Sequence, residues 1–174
     1  LKVERLLNEP TAAALAYGHQ ENPDLSTLLI FDLGGGTFDV NILECFEGVV
    51  EVKSSAGESR LGGEDYTDAL EKWLRQKGEW KPEAIAALRW REMVEQVKRE
   101  LSAGETATIM IEGKELTVSR ADFVAATREL TARLRPVVRR CLSDAGITPA
   151  HLRGVLLVGG ASRMPLVVSS LPED

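Results

Sequence analysis

The chain has 174 residues, 44% of them hydrophobic and only 5% aromatic, with a formal net charge of −6 at pH 7. That length holds one domain with an aliphatic core and at most a small subdomain. The acidic balance argues against a nucleic-acid surface, no apolar run approaches the roughly 18 residues of a membrane helix, and no leader-type segment opens the chain.

Leu1 already lies inside a patterned segment and Asp174 follows a turn signal, so the sequence reads as a piece of a longer chain. Pro10 to Tyr17 is predicted as a short helix with Pro at its first position and Gly18 as its stop. Residues 19–26 read as a polar loop. Leu28-Leu29-Ile30-Phe31 is a continuous apolar run, as in a strand covered on both faces. Asp32 to Thr37 breaks it with a glycine turn. Phe38 to Cys45 and Val49 to Ser54 then read as two further strands of a meander, joined at Glu47-Gly48.

A helix is expected from about Glu64 to Gln76, and a longer one from Pro82 to Leu101 with Leu88, Val94, Val97 and Leu101 near one face. Thr106 to Ile111 and Glu115 to Val118 bracket the hairpin signal Glu112-Gly113-Lys114. Ser119 with Asp122 resembles a capping box. The helix it opens is expected to run to about Asp144, bent at Pro136 and ended by Gly146. Val155 to Val158 is a second apolar strand, stopped by Gly159-Gly160, with a helix expected near Ser162. The order of strands and helices says α/β. Cys45 and Cys141 have no CxxC or metal spacing and are read as reduced, small hydrophobes in a strand and a helix, as in a cytosolic protein.

Two buried strands thus end in glycine turns, IFDLGGGTFD over residues 30–39 and LLVGGASR over 156–163. Glycines let a ligand touch the backbone, and successive amides can form an anion-binding nest. Phosphate is the natural guest. Neither turn is followed by the lysine of a Walker loop, and Gly34 and Gly36 lead into a strand with Asp at position 39, unlike a dinucleotide fingerprint. Asp32 could hold waters on Mg²⁺, Thr37 offers a hydroxyl near a terminal phosphate, and Asp39 is read as fixing the turn. Glu95, Lys98, Arg99 and Ser102 recur at i, i+3, i+4 and i+7 and line one helix face. Cationic and alkyl stems can sandwich a flat base, while spacing alone equally describes a solvated helix face.

NEPTAAALAYG (8–18), FDLGGGTFDV (31–40), LGGED (61–65), VKRELS (97–102) and LLVGGASRMP (156–165) together resemble the DnaK-type, seventy-kilodalton heat-shock chaperones. VVEVKSSAGES and VGGASRMPLV look most like the short-lid HscC branch. The resemblance implies an actin-like, ribonuclease H-like ATPase fold with ATP–Mg²⁺ or ADP between two lobes, and it places this chain in lobe II. Residues 1–59 and 119–174 would form the lobe core and 60–118 a small inserted α+β subdomain. Gly34, Gly35, Gly36 and Thr37 then look like the second phosphate hairpin. Asp32 and Glu9 look like the carboxylates around Mg²⁺ and the attacking water. Glu95, Lys98, Arg99 and Ser102 look like the adenosine clamp, and Gly159, Gly160, Ser162 and Arg163 like its second segment. Ala161 and Arg60 depart from the usual residues at their positions. No DxGTT hairpin and no lobe I lysine are present, so the resemblance implies a parent ATPase that drives binding and release of client polypeptides, with co-chaperones and exchange factors as partners. This chain alone would not turn over ATP. A sugar or acetate kinase lobe, a filament ATPase lobe and a plain docking module are the rival readings.

Overall fold

In the computed structural model, residues 2–4, 6–16, 26–46, 49–78, 87–111 and 113–171 are described. Strand β1 (Ser26–Leu33) has its four central residues, Leu28 to Phe31, fully buried, as a continuous apolar run requires when both faces are covered. It turns through the glycines into β2 (Phe38–Phe46), which pairs antiparallel with it, Asp32 opposite Asp39 and Leu33 opposite Phe38. The third strand, β3 (Val49–Glu58), runs four residues beyond the expected end at Ser54. Its register against β2 shifts between Ile42 and Leu43, so Lys53 is the extra residue of a bulge.

Helix α1 (Glu9–Ala16) precedes the meander, and α2 (Gly63–Gly78) and α3 (Ala87–Ala103) follow it. The hairpin β4 (Thr106–Ile111) and β5 (Lys114–Ser119) is a separate two-stranded sheet. Two helices, α4 (Arg120–Ala126) and α5 (Arg128–Asp144), lead to β6 (Gly154–Val158), and a four-residue α6 (Pro165–Val168) comes last. The main sheet has the order β3-β2-β1-β6, with β6 parallel to β1. That parallel pairing decides where function can sit, because β1 and β6 release their glycine turns at the same edge of the sheet.

Alternation on the strands divides the core. Leu29, Phe31 and Leu33 of β1 with Phe38, Val40 and Ile42 of β2 join α2, α3, α5 and the small hairpin in one continuous apolar cluster. Leu28, Ile30, Leu43 and Cys45 face the other way, against Ala14 of α1. Full burial of each such Leu, Ile or Phe is worth roughly 1.5–3 kcal/mol before chain entropy is set against it. Cys141 anchors α5 to the sheet: its thiol lies 3.3 Å from Val40 O and 3.1 Å from Ser54 Oγ, and the Ser54 hydroxyl donates to Cys141 O at 2.8 Å. Both cysteines are free and buried.

Several expectations need correction. The helix after the capping box is not one element bent at Pro136. The box forms, with Asp122 N on Ser119 Oγ and Ser119 N on Asp122 Oδ2, both at 3.1 Å. The helix then breaks at Thr127 (φ −108, ψ 9), whose amide and buried hydroxyl both bond back to Phe123 O, at 3.0 and 2.7 Å. Pro136 lies inside α5. On α3, Leu88 is 72% exposed and Trp90, 2% exposed, takes its place in the core. At about 100° per residue, Leu88 lies about 120° from Val94 around the helix, and Trp90 only about 40°. Near Ser162 the chain forms a 3-10 turn, Ala161–Arg163, before the short α6. Among the described residues, then, no long helix follows the second glycine turn. Gly18 with the loop after it, the Glu47-Gly48 turn, the helix start at Pro82 and Trp80 lie outside the described residues.

Candidate functional site

The first glycine turn is closed by Gly34 N donating to Thr37 O at 3.0 Å. Its outward carbonyls are also used. Gly34 O accepts from Gly63 N at 2.9 Å and Gly35 O from Glu64 N at 2.8 Å, so the first amides of α2 hold the hairpin tip. The amides of Gly35, Gly36 and Thr37 have no backbone partner among the described residues. With the carbonyls tied down on one side, the amide side remains for an anion. The approach needs glycine at position 62, where a Cβ would stand 2.3 Å from Gly35 O. Gly159 meets the same hairpin from the other strand. Its φ is 84, and a Cβ there would lie 2.3 Å from Leu33 O.

Behind the hairpin, α3 presents the charged face. A cavity of about 790 Å³ opens there, lined by Gly34 and Gly35, by Glu95, Lys98, Arg99 and Ser102, and by Gly160 and Arg163. Three segments far apart in sequence therefore converge, in a volume typical of a small-ligand site. Gly36 and Thr37 continue the hairpin at its exposed rim and do not line this cavity. Gly159 and Ser162 stand behind the wall, with the buried Ser162 hydroxyl donating to Gly159 O at 2.7 Å. Sequence reasoning missed Gly63, Glu64 and Thr67, which also line the cavity. The glycine pair ahead of a helix was the available signal for the first two.

The helix face is ordered by ion pairs. Glu95 Oε2 is 2.6 Å from Lys98 Nζ, and Glu95 Oε1 is 3.0 Å from Arg99 Nε. Burial opposes ionisation of Glu95, but hydrogen bonds from Lys98 and Thr67, the Lys98 charge and Arg99 outweigh it and hold the carboxyl below its ordinary value. The Arg99 side chain remains 71% exposed, a flat cation at the cavity edge. Ser102 uses its proton on Lys98 O at 3.1 Å, so towards the cavity it is an acceptor.

Glu9 and Asp32 do not line this cavity. They share a smaller one of about 300 Å³ with Asp39, Asn41 and Ser55. Asp32 has its pKa raised by burial first, then by the charges of Glu9 and Asp39. Such a set of hard oxygens, with like charges unbalanced, fits a hydrated divalent cation held through water. Among the described residues no three His, Cys, Asp or Glu side chains form a direct metal shell.

A scan against family models matches residues 1–173 to one described as Hsp70 protein. Among curated proteins, the Chaperone protein HscA homolog of Delftia acidovorans (strain DSM 14801 / SPH-1) is 44% identical over 174 residues. That match takes in 97% of this chain and 28% of the relative, so the chain spans little more than a quarter of the protein it resembles. The relative bears an HscA-type name, not an HscC-type one. Sheet topology, paired glycine turns and family match define a lobe of an actin-like ATPase domain. The chain belongs to the Hsp70 family, whose members bind nucleotide. No helix among the described residues is long and apolar enough to cross a membrane.

Proposed function

We propose that this chain forms one wall of the nucleotide cleft of an ATP-driven, cytoplasmic chaperone. Convergence of the glycine hairpin, the Glu95–Ser102 face and Gly160–Arg163 on one cavity is the observation that carries this reading. The hairpin of Gly34, Gly35, Gly36 and Thr37 receives the phosphates through the amides of its last three residues, with Thr37 beside the terminal phosphate. Glu95, Lys98, Arg99 and Ser102 form the nucleoside side, and Gly159, Gly160, Ser162 and Arg163 build the facing segment. Glu9 and Asp32 hold Mg²⁺ through waters and orient the attacking water. In the parent, hydrolysis would switch affinity for client polypeptides, with co-chaperones and an exchange factor acting on the cycle. Residues 60–118 are assigned to the small subdomain and the rest to the lobe core.

Phosphoryl transfer is mostly positioning and charge stabilisation, and this chain supplies one side of it. Titration calorimetry should detect weak binding of adenosine and ADP, lost in Arg99→Ala and weakened in Ser102→Ala. No heat at millimolar ligand, or an affinity indifferent to Arg99, would overturn the assignment. The chain alone should not hydrolyse ATP. Steady-state turnover that disappears in Thr37→Ala would contradict that.

A further inference from the structure

Lys98 lines the cavity, yet its ammonium faces inward. Its side chain is 8% exposed. Nζ lies 2.7 Å from Gly63 O, 2.8 Å from Thr67 Oγ1 and 2.6 Å from Glu95 Oε2. An ammonium has three protons, and three acceptors take them. Thr67, on α2, is 1% exposed. Having accepted from Lys98, its hydroxyl has one proton, with Glu95 Oε2 at 2.7 Å and Gly63 O at 3.0 Å. The ionised carboxylate is the nearer and stronger acceptor. Glu95 Oε2 is therefore fixed by two donors across two helices, which leaves Oε1 to hold Arg99.

We propose that Thr67 is a positioning residue: with Lys98 it forms a buried strut that presets the Glu95 carboxylate, and through it the Arg99 guanidinium, for the nucleoside. A hydroxyl on α2, unmarked by any charge pattern, thus tunes a site on α3. The proposal rests on the nucleotide reading of the cavity.

Thr67→Val keeps the shape and removes the hydroxyl, and Thr67→Ser keeps the hydroxyl. Carboxyl NMR titration of the ligand-free chain should give a higher Glu95 pKa in Thr67→Val and a near-normal value in Thr67→Ser. Loss of one hydrogen bond to a charged group should weaken ADP binding about tenfold in Thr67→Val. In a Glu95→Gln background Thr67→Val should add little, because the strut then has no carboxylate to hold. An unchanged Glu95 titration in Thr67→Val, or a fully additive loss in the double variant, overturns the proposal. The unmutated chain gives an independent reading if Thr67→Val does not fold. The Lys98 ammonium proton–nitrogen signal should be protected from water exchange without ligand. A signal broadened by water exchange refutes the strut. If the chain binds neither ADP nor adenosine, the nucleotide reading fails, whereas the ligand-free titration and the ammonium signal still judge the strut.

Discussion

Gly62→Ala tests whether the hairpin tip and α2 are built as one unit. The added Cβ would stand 2.3 Å from Gly35 O and 2.5 Å from both Gly35 C and Gly36 N. Those are backbone atoms, and the gap is about 1 Å short of an ordinary contact. No rotamer relieves it, so the 62–64 segment must move away from the turn. Movement of that size breaks the bonds from Gly63 N to Gly34 O and from Glu64 N to Gly35 O. Each is worth about 1 kcal/mol net, and overpacking adds about 1–3 kcal/mol, so a loss of about 3–5 kcal/mol is expected. Urea unfolding followed by circular dichroism measures it, with Gly36→Ala and Gly160→Ala as controls. A Cβ at either control position meets nothing within 4 Å, and their stability should stay within about 0.5 kcal/mol of the unmutated chain. The reasoning fails if Gly62→Ala also lies within that margin, or if Gly36→Ala costs as much.

Asp32→Asn should raise the melting temperature at pH 7 while weakening the cation site. Burial, Glu9 and Asp39 lift the Asp32 pKa above 3.8, so the folded state holds its proton more tightly than the unfolded chain. The stabilisation this gives is complete below pH 3.8 and is lost as pH rises through the folded value, which leaves the ionised carboxylate opposing the fold. The gain from Asn should therefore shrink on acidification, and a pH-independent gain would contradict this origin. Arg120→Ala should cost about 1–2 kcal/mol, because Arg120 caps the end of α3 through Leu101 O at 2.9 Å and Gly104 O at 2.7 Å. Arg120→Lys should recover less than half of it in the same unfolding assay, since one ammonium cannot reproduce the fork. Burial raises the thiol pKa of Cys45 against a hydrogen bond with Ser26, and that of Cys141 against one with Ser54. Iodoacetamide at neutral pH should therefore modify both only as fast as the chain opens, and rapid labelling of the native chain would show one of them to be accessible.

Much of the sheet could be read from the chain because its signals are local. Continuous apolar runs ending in glycines mark β1 and β6, and the alternation in β2 sets its two faces. Glu95, Lys98, Arg99 and Ser102 share a face by helical spacing alone. What escaped is non-local or finely balanced. Thr67 gains its place from partners on another helix, 28 and 31 residues away. Leu88 and Trp90 are two residues apart, and counting the helical rotation from Val94 rather than apolar character alone puts Trp90 in the core. The break falls at Thr127, whose hydroxyl bonds back to Phe123 O alongside its amide, whereas Pro136 sits inside α5. A separate cavity for Glu9 and Asp32 likewise depends on α1 packing beside the Asp32 end of β1.

The Thr127 break also has a mechanical meaning. Helix α4 packs on α2, α3 and β5, while α5 packs on β2 and β3. The chain thus leaves the sheet at residues 59–62 and returns at Thr127. The two crossings are neighbours: Arg133 Nη2 reaches Arg60 O at 2.7 Å and pairs with Glu58, and the hydroxyls of Tyr66 and Thr131 lie 3.4 Å apart. The segment between residues 62 and 127 is therefore tied back to the sheet at one place by both of its ends, so a substitution at Arg133 loosens the outgoing and the returning chain together.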